Sequence, residues 1–184
     1  MKHFDVRRAV TADAAILCDL HKASVRALCA GAYSSAQIEL WLALRSADDY
    51  RRAMIVDGEA IYAATYADRV VGFTSTKGGE LLTLYVDPRL GRGAGGRLLA
   101  AAEEHACRAG ETRLHLRATP NAVAFFRKHR YMRGPRSVAR RDGIELAVLE
   151  MSKALHVAGV PSMVTRSVTA PARREADASW YSGG

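Results

Sequence analysis

Six consecutive residues, Gly91-Arg92-Gly93-Ala94-Gly95-Gly96, form the segment best suited to hold a chemical group. Glycines lack a Cβ, so backbone N–H groups can turn into one concavity and an anion can approach closely. The amphipathic stretch behind them reads as a helix, whose first-turn N–H groups and positive dipole end favour negative charge at the same spot. Arg92 and Arg97 add positive charge nearby. The chemistry this predicts is phosphate binding.

Three readings of that turn compete. A Walker loop needs Gly-Lys followed by Ser or Thr, whereas Gly95-Gly96 is followed here by Arg97-Leu98, so it fails. Gly91, Gly93 and Gly96 formally satisfy the G-x-G-x-x-G dinucleotide fingerprint. That unit expects an acidic residue at the end of the next strand, where this chain has Arg117-Ala118-Thr119, and it needs more chain for a doubly wound sheet. A tight strand-to-helix turn with no ligand is the plainest alternative.

The elements that must position the turn follow from periodicity. Residues 4–7 alternate apolar and polar, as a half-buried strand does. Thr11 is placed to cap a helix with Ala14, Ile16, Leu17, Leu20 and Val25 on one face. Gly31 breaks it, and Ser34 or Ser35 can cap a second helix carrying Ile38, Leu40, Trp41 and Leu44. Residues 48–52 make a further helical turn. The period then changes: 60–66, 70–75 and 80–86 read as strands, the last ended by Asp87-Pro88. A helix is expected over 97–109, stopped by Gly110, then a strand over 113–117 and a short helix over 121–128. Strands over 132–137 and 145–151 finish the pattern. From His156 onward no periodicity survives. The expectation is one mixed α/β domain over residues 1–155 and a poorly ordered tail over 156–184.

Composition narrows the classes further. Cys18, Cys29 and Cys107 are too few and too scattered for a disulfide framework or a zinc site, so no metal is expected. Cys18 and Cys107 read as small buried thiols. No apolar run approaches the ~20 residues that span a bilayer, and the first eight residues lack the apolar core of a signal peptide. A cytoplasmic protein without a membrane partner is the expectation. The net charge of +8 suits a polyphosphate ligand as well as nucleic acid. The arginines are dispersed and no aromatic-interleaved recognition motif accompanies them, which disfavours nucleic acid.

The stretch from Leu84 to Leu99 resembles the acetyl-CoA signature of the GNAT superfamily of N-acetyltransferases, Q/R-x-x-G-x-G/A between a strand and a helix. Residues 118–131, with Asn121, Phe125 and Phe126, look like that family's second cofactor segment. Residues 33–41 are similar to the substrate-side helices of small bacterial members. The resemblance spans roughly residues 4–153. It implies a central, mostly antiparallel twisted sheet, splayed at the cofactor site and flanked by helices. It also implies transfer of an acetyl group from acetyl-CoA to a primary amine, by direct attack in a ternary complex.

On that resemblance the backbone of Leu84, Tyr85 and Val86 hydrogen-bonds the pantetheine arm. Gly91, Arg92, Gly93, Ala94, Gly95, Gly96 and Arg97 hold the pyrophosphate, Asn121 reaches the pantetheine, and Phe125 and Phe126 line the thioester end. Leu90 stands where the family carries Gln or Arg, so the cradle relies on backbone. Phe126 stands where many members carry a tyrosine proposed to protonate the leaving thiolate. A thiol of pKa about 8.5 leaves acceptably without one.

Backbone N–H groups at the splay suit a developing oxyanion. Glu80 matches the glutamate that acts as base in some members, with a solvated strand-start residue as the plainer reading. Tyr85 points either into the cleft or into the core. Tyr33 and Trp41 are candidates to shape the acceptor pocket. His21 and Glu39 read as polar helix faces, and His129 as part of a basic surface. The expected acceptor is a small-molecule or peptide amine, and the expected assembly a monomer or homodimer. The rival function is a non-catalytic acyl-CoA-binding or sensing module.

Overall fold

A computed structural model describes residues 3–43, 45–141 and 144–156. Leu44 and the tail from residue 157 onward lie outside the described residues. The chain enters as strand β1 (Asp5–Arg8), makes a 3-10 turn (Thr11–Asp13) and continues into helix α1 (Ala14–Leu28). Two short helices follow, α2 (Ser35–Ala43) and α3 (Ala47–Ile55). Strands β2 (Ala60–Tyr66), β3 (Arg69–Lys77) and β4 (Glu80–Val86) form an antiparallel meander. Helix α4 (Ala94–Arg108) crosses to β5 (Arg113–Ala118), and helix α5 (Val123–Lys128) leads to the hairpin of β6 (Met132–Arg141) and β7 (Ile144–Ala154). The seven strands lie in the order β1-β2-β3-β4-β5-β7-β6, and only β4 and β5 run parallel. This is the mixed α/β sheet flanked by helices that the sequence led us to expect. No helix among the described residues is long and apolar enough to cross a membrane.

Capping explains several boundaries. The Asp13 carboxylate, not the Thr11 side chain, takes the Val10 N–H at 2.8 Å and is itself clamped by Arg7 at 2.7 and 2.8 Å. Ser34 and Gln37 satisfy each other's backbone N–H groups ahead of α2, and Ser46 and Asp49 form a capping box ahead of α3. Residues 48–52 therefore belong to a complete nine-residue helix rather than a single turn. Ile16 and Leu40, expected on apolar faces, are exposed, because the buried stripes run through Leu17 and Leu20, and through Ile38 and Leu42. Cys107 is half-buried rather than buried.

Two layers pack on the sheet. One face carries α4 and α5, burying Leu99, Ala102, Leu114, Phe126 and Met151 together. The other carries α1, α2 and α3, burying Leu17, Tyr50, Phe73, Leu42 and Ile144 in two adjoining clusters.

Candidate active site

β4 and β5 are paired at only two positions, Glu80 with His115 and Leu81 with Leu116. Beyond Leu81 they part. The cause lies on the other edge of β4, where the register against β3 slips: Thr76 faces Leu81 but Ser75 faces Thr83, so Leu82 is an extra residue. Such a bulge bends a strand and ends pairing on its far side. Side chains hold it in place, since Thr74 Oγ1 donates to the Thr83 carbonyl at 2.8 Å and the Ser75 and Thr83 hydroxyls bond at 2.8 Å. The result is a backbone edge over residues 82–86 that β5 does not cover.

The bulge also resets which way side chains point. Leu81 and Leu84 both pack toward α4, whereas Tyr85 packs among α1, α2 and α3 residues. A cleft open to solvent runs through the gap. Leu84, Ala118 and Phe126 line it on the α4 side, and Trp41, Tyr85 and Leu146 on the other.

The glycine turn joins β4 to α4 at the mouth of this gap. Asp87 organises it: its N–H donates to the Val71 carbonyl at 2.7 Å, and its carboxylate accepts the N–H groups of Arg89 and Leu90 at 2.8 and 2.7 Å. A Cβ on Gly91 would lie 2.6 Å from the Val71 oxygen and 2.8 Å from Asp87 backbone atoms, so only glycine fits. Gly93 adopts φ +98°, the left-handed region, as the residue preceding α4. The helix begins at Ala94, three residues earlier than the sequence led us to expect, so Gly95 and Gly96 occupy its first turn. Their bare backbone lets α5 approach: a Cβ on Gly95 would touch the Phe125 ring at 3.3 Å, and one on Gly96 the His129 ring at 3.3 Å. First-turn N–H groups have no carbonyl one turn back within the helix, which leaves them for an external acceptor. Arg92 and Arg97 are exposed beside them. Leu90 turns inward and packs with Phe4, Val71 and Leu98.

The remaining sequence-predicted residues separate by environment. Phe126 is buried at the cleft wall, edge-on to Phe125 and Tyr131. Asn121 is exposed, with its side chain in hydrogen-bonding reach of the Cys29 thiol, whose pKa burial pushes up. Val86 packs with the Phe4 cluster. Glu80 lies outside the cleft lining and accepts a hydrogen bond at 3.2 Å from Arg117, which does line it. Trp41 lines the cleft. Tyr33 does not: it is buried, its hydroxyl donates to the Ala147 carbonyl at 2.8 Å, and its ring meets Trp41 edge-on. Tyr33 thus buttresses Trp41.

Three residues have surroundings the sequence did not predict. Glu39 is an exposed helix residue paired with Arg26, as expected, but His21 is 3% exposed. Its Nδ1 and the Tyr50 hydroxyl are hydrogen-bonded at 2.6 Å, and its ring stacks on Tyr85 at 4.1 Å. Its spacing, four after Leu17 and four before Val25, put it on the buried stripe all along. His129 is half-buried against Phe125 at 4.6 Å between ring centroids, not part of an open basic surface. Arg45, in the link between α2 and α3, is buried and lines the cleft. Nothing in its local sequence marked it.

Residues 29–155 match the family described as acetyltransferase (GNAT) domain. A GCN5-related N-acetyltransferase from Rhodopseudomonas palustris is 34% identical, with 84% of this chain and 98% of that chain covered and a TM-score of 0.77. The PaiA N-acetyltransferase of Thermoplasma acidophilum, solved with coenzyme A, is 22% identical over 83% of this chain and 99% of that one, with a TM-score of 0.61. YncA from Salmonella typhimurium, solved with its cofactor acetyl-CoA, is 20% identical over 86% and 98%, also with a TM-score of 0.61. Comparison with curated proteins gives no significant match. The seven-stranded sheet parted between β4 and β5, the glycine turn at the parting and the match over residues 29–155 agree: the chain belongs to the GNAT acetyltransferase family.

Proposed function

We propose that the protein is an N-acetyltransferase that moves the acetyl group of acetyl-CoA to a primary amine by direct attack within a ternary complex. The observation that carries this reading is the β4 edge over residues 82–86 left uncovered by β5, which leads from the glycine turn into a cleft lined from both sheet faces. Coenzyme A and acetyl-CoA in two similar structures support the same donor here.

The residues present fit that donor. The backbone of Leu84, Tyr85 and Val86 offers a strand edge to an extended pantetheine. The turn from Gly91 to Gly96 offers N–H groups to a pyrophosphate, with exposed Arg92 and Arg97 as neutralising charge. Asn121 and Phe125 flank the arm and Phe126 walls its thioester end. Bound acetyl-CoA supplies an acyl thioester whose thiolate leaving group, of pKa about 8.5, needs no dedicated acid, which suits a phenyl ring at Phe126.

The protein's own part is to orient a neutral amine, exclude water and remove a proton. Trp41 and Tyr85 wall the acceptor side. Glu80, one guanidinium away from the cleft through Arg117, receives the amine proton by way of water. None of the three cysteines lines the cleft, which supports direct transfer over a cysteine-bound acyl group.

Calorimetric titration with acetyl-CoA, followed by thiol release against a panel of amines, tests the reading. Absence of donor binding at millimolar ligand refutes it. Binding without turnover on any amine points to an acyl-CoA sensor instead. Gly93→Glu, which sets a carboxylate in the pyrophosphate cradle, is expected to abolish donor binding.

A further inference from the structure

If the protein is an acetyltransferase, as proposed above, the cleft walls carry information about what the acceptor amine must bear besides its nitrogen. Among the described residues lining the cleft, the charged ones are Arg45, Arg117 and Arg140, and none is acidic. Most of the remaining wall is apolar, including Leu82, Ile144, Leu146 and Val148. A cationic polyamine would meet like charge there and little to hydrogen-bond its ammonium groups.

The three arginines are not equivalent. Arg117 and Arg140 each face a carboxylate, Glu80 at 3.2 Å and Glu145 at 2.7 Å, and Arg140 is largely exposed. Arg45 is only 6% exposed. Its backbone is fixed on both sides, the N–H donating to the Leu42 carbonyl at 3.1 Å and the carbonyl accepting from the Cys18 thiol at 3.6 Å. Its positive charge is close enough to act on the Tyr50 phenol, which burial otherwise pushes well above its ordinary pKa. Tyr50 bonds His21, and His21 stacks on Tyr85 at the cleft wall. Coming from the link after α2, Arg45 lines the cleft from the sheet face opposite α4, away from the glycine turn that suits the pyrophosphate.

A guanidinium carries five N–H donors, so one that lines a cleft can serve the protein and a ligand together. Its planar fork matches a carboxylate with two parallel bonds, which are strongest where water is scarce. A concave, mostly apolar cleft with a few converging polar groups has the form of a small-molecule site. We propose that the acceptor is a small amine that also carries a carboxylate, an apolar amino acid being the class that fits, and that Arg45 binds that carboxylate.

Three probes share one apolar body: L-phenylalanine, L-phenylalaninamide and 2-phenylethylamine. At saturating acetyl-CoA, thiol release is expected to give the acid a kcat/KM about 100-fold above the amide, mostly through KM. Arg45→Met should collapse that ratio to within about threefold, and Arg45→Lys should retain part of it, because an ammonium keeps charge but not the fork. Circular dichroism and acetyl-CoA calorimetry establish that each variant folds and binds donor. Should Arg45→Met fail to fold, the wild-type ratio alone decides. Should none of the probes turn over, calorimetry of the acid and amide on the CoA-saturated protein decides by the same preference. Equal or better use of the amide or of 2-phenylethylamine overturns the inference, as does an unchanged ratio in folded Arg45→Met. Absence of acetyl-CoA binding would instead sink the acetyltransferase reading, and this inference with it.

Discussion

Replacing Gly91 by alanine should unfold the phosphate cradle more effectively than any neighbouring glycine substitution. The added Cβ would sit 2.6 Å from the Val71 carbonyl oxygen and 2.8 Å from both the N and O of Asp87. All three are backbone atoms, so relief requires moving β3 against the turn rather than rotating a side chain. The same atoms make two hydrogen bonds, Asp87 N–H to Val71 O at 2.7 Å and Gly91 N–H to Asp87 O at 2.9 Å. Overpacking costs about 1–3 kcal/mol and each of the two lost hydrogen bonds about 1 kcal/mol, giving about 3–5 kcal/mol in all. At about 2–4 °C per kcal/mol for a domain of this size, Tm falls by about 10 °C.

Gly96→Ala provides the internal control. Its Cβ would meet only the His129 ring, at 3.3 Å, which can rotate away. A helix gain of up to about 1 kcal/mol for alanine over glycine offsets that contact. Its Tm should stay within about 3 °C of wild type. Gly93→Ala falls between, because φ +98° costs a non-glycine residue about 1–2 kcal/mol. Thermal unfolding by circular dichroism, with a parallel CoA titration, reads out the series. A Gly91→Ala protein melting within about 3 °C of wild type, or Gly96→Ala proving equally damaging, would refute the division of labour among these glycines.

The clamp at the start of α1 predicts acid sensitivity. Hydrogen bonding from Arg7 holds the Asp13 carboxyl below its ordinary pKa, so the pair stabilises the fold above the unfolded value of about 3.9 and is lost as pH falls through the lower folded value. Asp13→Asn should cost about 1–2 kcal/mol at pH 7, discounted for the half-exposed Arg7, and the difference from wild type should fade below about pH 3 in urea unfolding curves. If Glu80 accepts the amine proton as proposed, Glu80→Gln should lower kcat/KM about 100-fold at neutral pH. A loss under about threefold would leave Glu80 only the task of holding Arg117.

How much of this was legible in the sequence depends on how far each cause lies from its effect. The glycine turn and its helix were readable because dipole, missing Cβ and amphipathic period act within one segment. The helix α4 starts earlier than local sequence suggests because Gly95 and Gly96 lower helix propensity locally, while Phe125 and His129, roughly thirty residues on, reward a helix with no Cβ there. His21 reads as a polar-face residue in sequence because Tyr50 and Tyr85, which make its burial tolerable, come from α3 and β4. The Leu82 bulge carried no glycine or proline as a marker, and Thr74, Ser75 and Thr83 secure it by pairing across strands. Tyr33 looked like a pocket residue by position, but its hydroxyl is tied to β7 more than a hundred residues away.

That extra residue in β4 also makes the strand sensitive to length at a single point. Without Leu82, the residues Leu81, Thr83, Leu84 and Tyr85 would meet Thr76, Ser75, Thr74 and Phe73 in unbroken register, each side chain still on the face it occupies now. What would go is the bend, and with it the reason β5 parts from β4. A straightened strand could zip to its parallel neighbour and close the gap that a ligand must enter. Substitution at Leu82 is thus a packing question, whereas its deletion would decide whether there is a cleft at all.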